Sequence, residues 1–247
     1  MFISSNGSYF KEFDIAFNLL PKKTKSVIEL CFGDIYIAKS CRRKNISWTG
    51  YDISTYFVNN AKKKKYNAVL VDLHKVSLKG EYDVAIISRS LYQFKSDLTY
   101  FIASILKVSS SIIICESIKS LSNSRNYLIR KFHKPKYLEI GSWLGSTACS
   151  ACYNNNLEIV CIDNWSQNFN PNLNPKETFE KNIKKYISKQ STLKIIEEDF
   201  KKIDFKNLNN IDIYLYDGSH HYIDHFDSIK LVLPSLSKKF ILIVDDW

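Results

Sequence analysis

The sequence predicts an α/β protein of two tandem units, each built on a mainly parallel five-stranded sheet. Three observations carry this expectation. β-rich apolar runs alternate with longer amphipathic segments, the change of period that marks βαβ units. The alternation runs through twice, with acidic or small residues at corresponding carboxyl ends of the strands. The spacings between those residues also nearly repeat. Glu29 to Asp52 is 23 residues and Glu139 to Asp163 is 24; Asp83 to Ser88 and Asp212 to Asp217 are each 5; Ser88 to Glu116 and Asp217 to Asp245 are each 28. Duplication of one five-stranded unit accounts for the match. A single irregular ten-stranded domain is the competing arrangement.

In order, the first-half strands are expected at Ser26–Cys31, Trp48–Asp52, Ala68–Asp72, Tyr82–Ser88 and Ser111–Glu116. Those of the second half are expected at Tyr137–Ile140, Glu158–Asp163, Leu193–Glu197, Ile211–Asp217 and Phe240–Asp245. Only the third interval differs: Asp52 to Asp72 is 20 residues, Asp163 to Asp199 is 36. The excess is the polar stretch Asn164–Pro175 and a helix-like segment, Lys176–Lys189. A boundary near Asn126–Lys134 follows, giving units of residues 1–130 and 131–247, although no Gly/Pro-rich linker marks it.

Composition narrows the classes. With 45% hydrophobic and 24% charged residues, the 247-residue chain can bury a core. No apolar run reaches the eighteen or so residues of a membrane span, and Met1–Phe10 lacks a secretory layout. Most of the six cysteines lie in apolar runs. Cys149 and Cys152 form a CxxC with no second pair at zinc-ribbon spacing. Reduced, buried thiols and a cytoplasmic location are expected. The +10 formal charge invites a nucleic-acid partner. Lysine, asparagine and isoleucine are abundant throughout, however, and the one dense basic run, Lys62–Lys65, fits the end of a helix. Nucleic-acid binding is therefore not expected.

Ligands of open parallel sheets lie beyond the carboxyl ends of the strands, near the switch in strand order. There the second half carries Glu139-Ile-Gly141-Ser142-Trp-Leu-Gly145-Ser146 after its first strand. Glycines in this stretch let backbone approach a ligand and let a helix start tightly against the strand. Asp163, ending the second strand, suits both hydroxyls of a ribose. Asp199 follows the third strand, with a solvated turn cap as its plainer role. Tyr216-Asp217-Gly218-Ser219-His220-His221-Tyr222 is the most chemically loaded segment.

These motifs ("YLEIGSWLGS", "CIDNW", "EEDF", "YDGSHHY", "FILIVDDW") make residues 135–247 resemble the class I S-adenosylmethionine-dependent methyltransferases, whose folds are Rossmann-like. A D-G-x-H-x-Y element after the fourth strand is similar to small-molecule and glycan methyltransferases. The resemblance implies S-adenosylmethionine as cofactor. Glu139, Gly141, Ser142 and Gly145 would shape its methionine pocket, Asp163 and Asn164 would hold the ribose, and Asp199 would face the adenine amino group. It also implies a catalytic segment at Asp217 and His220. Asp217, Asp245 and Asp246 could gather around Mg2+ and activate a substrate hydroxyl. Alternatively His220 acts as general base without metal, or both histidines are loop residues, one of them capping a helix.

Residues 20–118 resemble the same class less fully. "VIELCFGDIYIA", "GYDIS" and "VDLH" supply Glu29, Gly33, Asp52 and Asp72 as cofactor-site residues. Cys31 occupies the place of the first glycine, and Ser88 stands where the second half has Asp217. The family fold usually closes with a further helix and strand pair, for which neither half has room. A fragment of a longer protein is expected, or edges covered by the other half or a partner chain, as in a homo-oligomer. The expected function is methyl transfer to a small-molecule or sugar acceptor, on a hydroxyl. An RNA methyltransferase and a non-catalytic Rossmann-like scaffold are the alternatives.

Overall fold

The computed structural model describes residues 13, 16–18, 20–94, 98–115, 129–130, 132–167 and 170–245. Contacts divide the chain into two compact units, residues 1–116 and 117–246. Residues 116–128, where one unit gives way to the next, lie outside the described residues, as does the start of the expected boundary at Asn126.

In the first unit, β1 (Ser26–Leu30), β2 (Ser47–Asp52), β3 (Asn67–Leu70), β4 (Tyr82–Ser88) and β5 (Ser109–Cys115) stand in the order β3-β2-β1-β4-β5. Every pairing is parallel. Helices α1 (Tyr36–Arg43), α2 (Thr55–Lys63) and α3 (Leu98–Val108) follow β1, β2 and β4. Strands covered on both faces read as unbroken apolar runs, and Val84–Ile87 and Ile112–Cys115 are all buried. α2 begins where the Ser54 hydroxyl accepts from Phe57 N and ends on Lys62 and Lys63, cations suited to a helix carboxyl end.

The second unit repeats the topology. β6 (Lys136–Ile140), β7 (Glu158–Asp163), β8 (Thr192–Glu197), β9 (Ile211–Tyr216) and β10 (Leu236–Val244) lie in the order β8-β7-β6-β9-β10, again all parallel. α4 (Ser146–Cys152), α5 (Pro175–Tyr186) and α6 (Tyr222–Val232) follow β6, β7 and β9. α5 starts with Pro175 at its first position and an Asn174 cap, both residues that favour a helix amino end. In each unit the chain crosses from the third strand to the fourth without a regular α-helix. The strand order therefore switches between β1 and β4, and between β6 and β9.

The amino ends of the strands are tied alike in both units. Asp83 accepts from the backbone N–H groups of Lys25 (2.7 Å) and Ser26 (2.9 Å), and Asp212 accepts from Lys136 N (2.9 Å). These two carboxylates satisfy strand-start donors at the sheet end away from the carboxyl termini.

Several element ends differ from expectation, three of them for a visible physical reason. β3 stops at Leu70 because Asp72 opens a turn, its carboxylate accepting from His74 N at 3.0 Å. α5 stops at Tyr186, where Ile187 turns extended and the Ser188 hydroxyl bonds Asn156 and Ser191. β10 begins at Leu236, four residues early, since exposed Lys238 and Lys239 interrupt the apolar pattern without interrupting the strand.

Candidate active site

At the β6/β9 switch point the carboxyl ends interlock through backbone hydrogen bonds. Gly141 N donates to Ile162 O (2.9 Å), Asp217 N to Ile140 O (2.8 Å) and Asp245 N to Tyr216 O (2.9 Å). Gly141 adopts φ +90°, and a Cβ there would lie 2.1 Å from the Asp217 carbonyl oxygen. Only glycine permits this approach. Gly145, at φ +84° on the amino end of α4, is similarly confined, since a Cβ would stand 2.8 Å from the Phe179 ring.

Beyond these strand ends opens a cleft of about 490 Å³, within the usual range of ligand pockets. Gly141, Ser142, Asp163, Asn164, Asp199, Asp217 and His220 all line it. Asp163 is fixed from both sides: Oδ2 accepts from Trp143 N and Oδ1 from Trp165 N, each at 2.7 Å. The Trp165 indole in turn donates to Trp143 O at 2.8 Å, closing the two loops around the carboxylate. Asp199 caps the turn Phe200–Lys202, accepting from Lys201 N at 2.9 Å, and still faces the cleft.

Glu139 lies beneath the cleft rather than on its wall. It is fully buried, with Oε2 accepting from Tyr137 Oη (2.6 Å) and Oε1 from Thr147 Oγ1 (2.8 Å). Thr147, not the glutamate, reaches the cleft surface. The buried Ser142 hydroxyl also lines the cleft. Among the described residues its one neighbouring partner is the Cys161 thiol, a weak one. A buried hydroxyl of this kind suits a ligand's polar atom.

The family described as "Methyltransferase domain" matches residues 138–247. Most of the second unit is thus similar to a methyltransferase domain. No curated protein matches the chain. Among solved structures, the plantazolicin methyltransferase BpumL in complex with SAH is 21% identical, with 47% of this chain and 49% of that chain covered and a TM-score of 0.37. An S-adenosylmethionine-dependent methyltransferase from Clostridium acetobutylicum is 14% identical over 48% of this chain and 54% of that one, with a TM-score of 0.36. The T. thermophilus 16S rRNA N2 G1207 methyltransferase is 8% identical over 91% and 80%, with a TM-score of 0.35. The chain spans about half the length of the first of these.

The cleft of the second unit fits S-adenosylmethionine on its own chemistry. Gly141, the Ser142 hydroxyl and the carboxylates Asp163 and Asp199 all line one cavity, whereas Gly145 packs against Phe179 off its wall. The Mg2+ expectation fares differently. Asp217 and Asp245 extend from paired strands, but among the described residues no three His, Cys, Asp or Glu side chains gather closely enough to hold a metal. Asp246, the third expected ligand, lies outside the described residues.

Several residues of the domain's cleft escaped sequence reading. Lys201 forms an ion pair with Asp224 and reaches Asp227 at 3.8 Å, tying the turn after β8 to α6 at the cleft wall. Burial alone would raise the Asp224 carboxyl, but Lys201 and then Ser219 bring it below its ordinary value. His225 is buried behind His220, with Nδ1 near His221 O and Nε2 near Asp245 O, both at 3.2 Å. Burial lowers its pKa, against smaller opposing contributions from those carbonyls. His221 caps α6 through its backbone position, while His220 is exposed to the cleft. The Cys149–Cys152 pair is buried in α4, and burial foremost pushes the thiols up to about 11 and about 12. Neither suits metal or redox chemistry.

The first unit holds a smaller cleft of about 340 Å³ at its own switch point, lined by Cys31, Gly33, Asp52 and Asp72 among others. Asp52 accepts from Gly33 N (3.0 Å) and Ser54 N (2.7 Å), as Asp163 does from Trp143 and Trp165. Cys31 takes φ +55° and donates its N–H to Tyr51 O, so it makes the turn of Gly141 while keeping a side chain. Glu29 is buried off the wall and accepts from the Trp48 indole at 2.7 Å. No helix of the described residues is long and apolar enough to cross a membrane.

Proposed function

We propose that the second unit binds S-adenosylmethionine in the cleft beyond β6, β7 and β9 and transfers its methyl group to a hydroxyl of a small-molecule or glycan acceptor. The carrying observation is Asp163. Its carboxylate is held by two backbone donors at the lip of the cleft, with lone pairs left for ribose hydroxyls. Ser142 and Thr147 would meet the polar end of the cofactor, and Asp199 its base. When bound, this cofactor supplies a methyl group on a positively charged sulfur.

The chain's own contribution is placement, charge and one proton. Five acids (Asp163, Glu198, Asp199, Asp217 and Asp224) line the cleft against Lys201 as the one lysine or arginine among the described residues. That surplus favours a cationic cofactor and disfavours a polyanion entering the same space. It supports a small or glycan acceptor over RNA, despite the overall +10 charge. His220 is exposed within the cleft beside Asp217 and Gly218, in position to take the hydroxyl proton as it is lost.

The test is incubation with methyl-labelled cofactor, hydroxylated small molecules, oligosaccharides and total RNA, followed by separation of labelled products. Label is expected in a small or glycan acceptor, with kcat for His220→Ala lower by about a hundredfold or more. Label confined to RNA, or a His220→Ala chain as fast as the native one, overturns this reading.

A further inference from the structure

The two clefts agree at one end and differ at the other. At the end beside the second and third strands, the first unit keeps the two aspartates of the second, although Ile53 and Val71 replace Asn164 and Glu198. Asp52 is clamped by two backbone donors as Asp163 is, and Asp72 accepts from the N–H two residues on as Asp199 does. This end has the groups that recognise a nucleoside: a carboxylate for ribose hydroxyls and an acceptor for a base amino group.

At the end beside the first and fourth strands, the chemistry is inverted. Ser88 and Arg89 stand in place of Asp217 and Gly218, and Arg89 lines the cleft. The acids lining the first cleft among the described residues are Asp52 and Asp72 alone, and Lys75 pairs with Asp72 at 3.0 Å. Cys31, at the position of Gly141, adds a side chain to the lining of the first cleft. A cationic methionine tail would meet an arginine there and none of the carboxylates that line the second cleft. A guanidinium matches a phosphate in shape and charge.

From this juxtaposition we propose that the cleft of the first unit binds a nucleoside 5′-phosphate, with Asp52 on the ribose and Arg89 on the phosphate. The site is distinct from that of methyl transfer. It shares with the preceding reading the assignment of the strand-two carboxylate to a ribose, but the two can fail separately.

The experiment is calorimetric titration of the full chain with adenosine 5′-monophosphate, with and without saturating S-adenosylhomocysteine. Adenosine is the parallel ligand, and Arg89→Glu and Arg89→Gln are the variants. One nucleotide should bind per chain at an affinity that S-adenosylhomocysteine does not change, and adenosine should bind more weakly. Arg89→Glu should weaken the nucleotide about tenfold or more, and Arg89→Gln less, while S-adenosylhomocysteine binds both variants as it binds the native chain. Displacement of the nucleotide by S-adenosylhomocysteine would place it in the second cleft and overturn the proposal. So would undetectable nucleotide binding, or native affinity in both variants. Failure of S-adenosylhomocysteine to bind at all would count against methyl transfer instead.

Discussion

The Cα of Gly141 faces the backbone of Asp217 so closely that a Cβ would lie 2.1 Å from the Asp217 carbonyl oxygen and 2.6 Å from Gly218 N. First and fourth strands of the second unit thus meet through bare backbone at the floor of the cleft. Neither contact atom belongs to a side chain that could swing away.

Gly141→Ala is therefore expected to destabilise the second unit by roughly 3 kcal/mol or more, combining a clash with backbone and a strained φ. Gly33→Ala makes the informative contrast. Gly33 also has positive φ, but a Cβ there meets nothing within 4 Å. Only the left-handed strain remains, about 1–2 kcal/mol. Urea unfolding of both variants measures the difference, and equal losses would contradict the geometry.

Glu29 offers a pH test in the first unit. Burial holds its pKa well above the ordinary value, against the lowering effect of the Trp48 hydrogen bond. A group raised in the folded state contributes stability below its unfolded pKa and loses it as pH rises. Glu29→Gln keeps an oxygen for the Trp48 indole and removes the charge. The variant should be more stable than the native chain at pH 8, with the advantage shrinking towards about pH 4. A stability difference independent of pH would refute this account.

Thiol labelling checks the structural role of the cysteines. Cys41, Cys115, Cys149, Cys152 and Cys161 are buried, and Cys31 is half-buried with its thiol pushed up to about 12 by burial first and Asp52 second. Iodoacetamide at pH 8 should leave the folded chain essentially unmodified and alkylate all six thiols in denaturant. Mass spectrometry reads the result. Rapid modification of Cys149 or Cys152 in the folded chain would reopen a redox role.

How far the sequence revealed this architecture depends on the residue. β4 and β9 were legible to within a residue because strands buried on both faces are continuous apolar runs. Asp52 and Asp163 were legible because each ends such a run. The start of β10 was not, since Lys238 and Lys239 point away from a core that periodicity alone can detect. Nor were the pairs Thr147–Glu139, made when α4 folds back over the end of β6, and Lys201–Asp224, made when the turn after β8 meets α6. The depth of Glu139 was equally hidden. An acid at a strand end reads as a wall residue until Tyr137 and Thr147 are seen to take both its oxygens. Asp83 and Asp212 served only as spacing markers in the sequence, yet they tie down the strand starts.

The most direct measurement is calorimetric titration of S-adenosylhomocysteine into the full chain and into Asp163→Ala. The native chain should bind one equivalent in the second cleft saturably, and the variant should bind about tenfold more weakly or worse. Absence of heat at millimolar ligand, or equal affinity in the two chains, would contradict the assignment of that cleft.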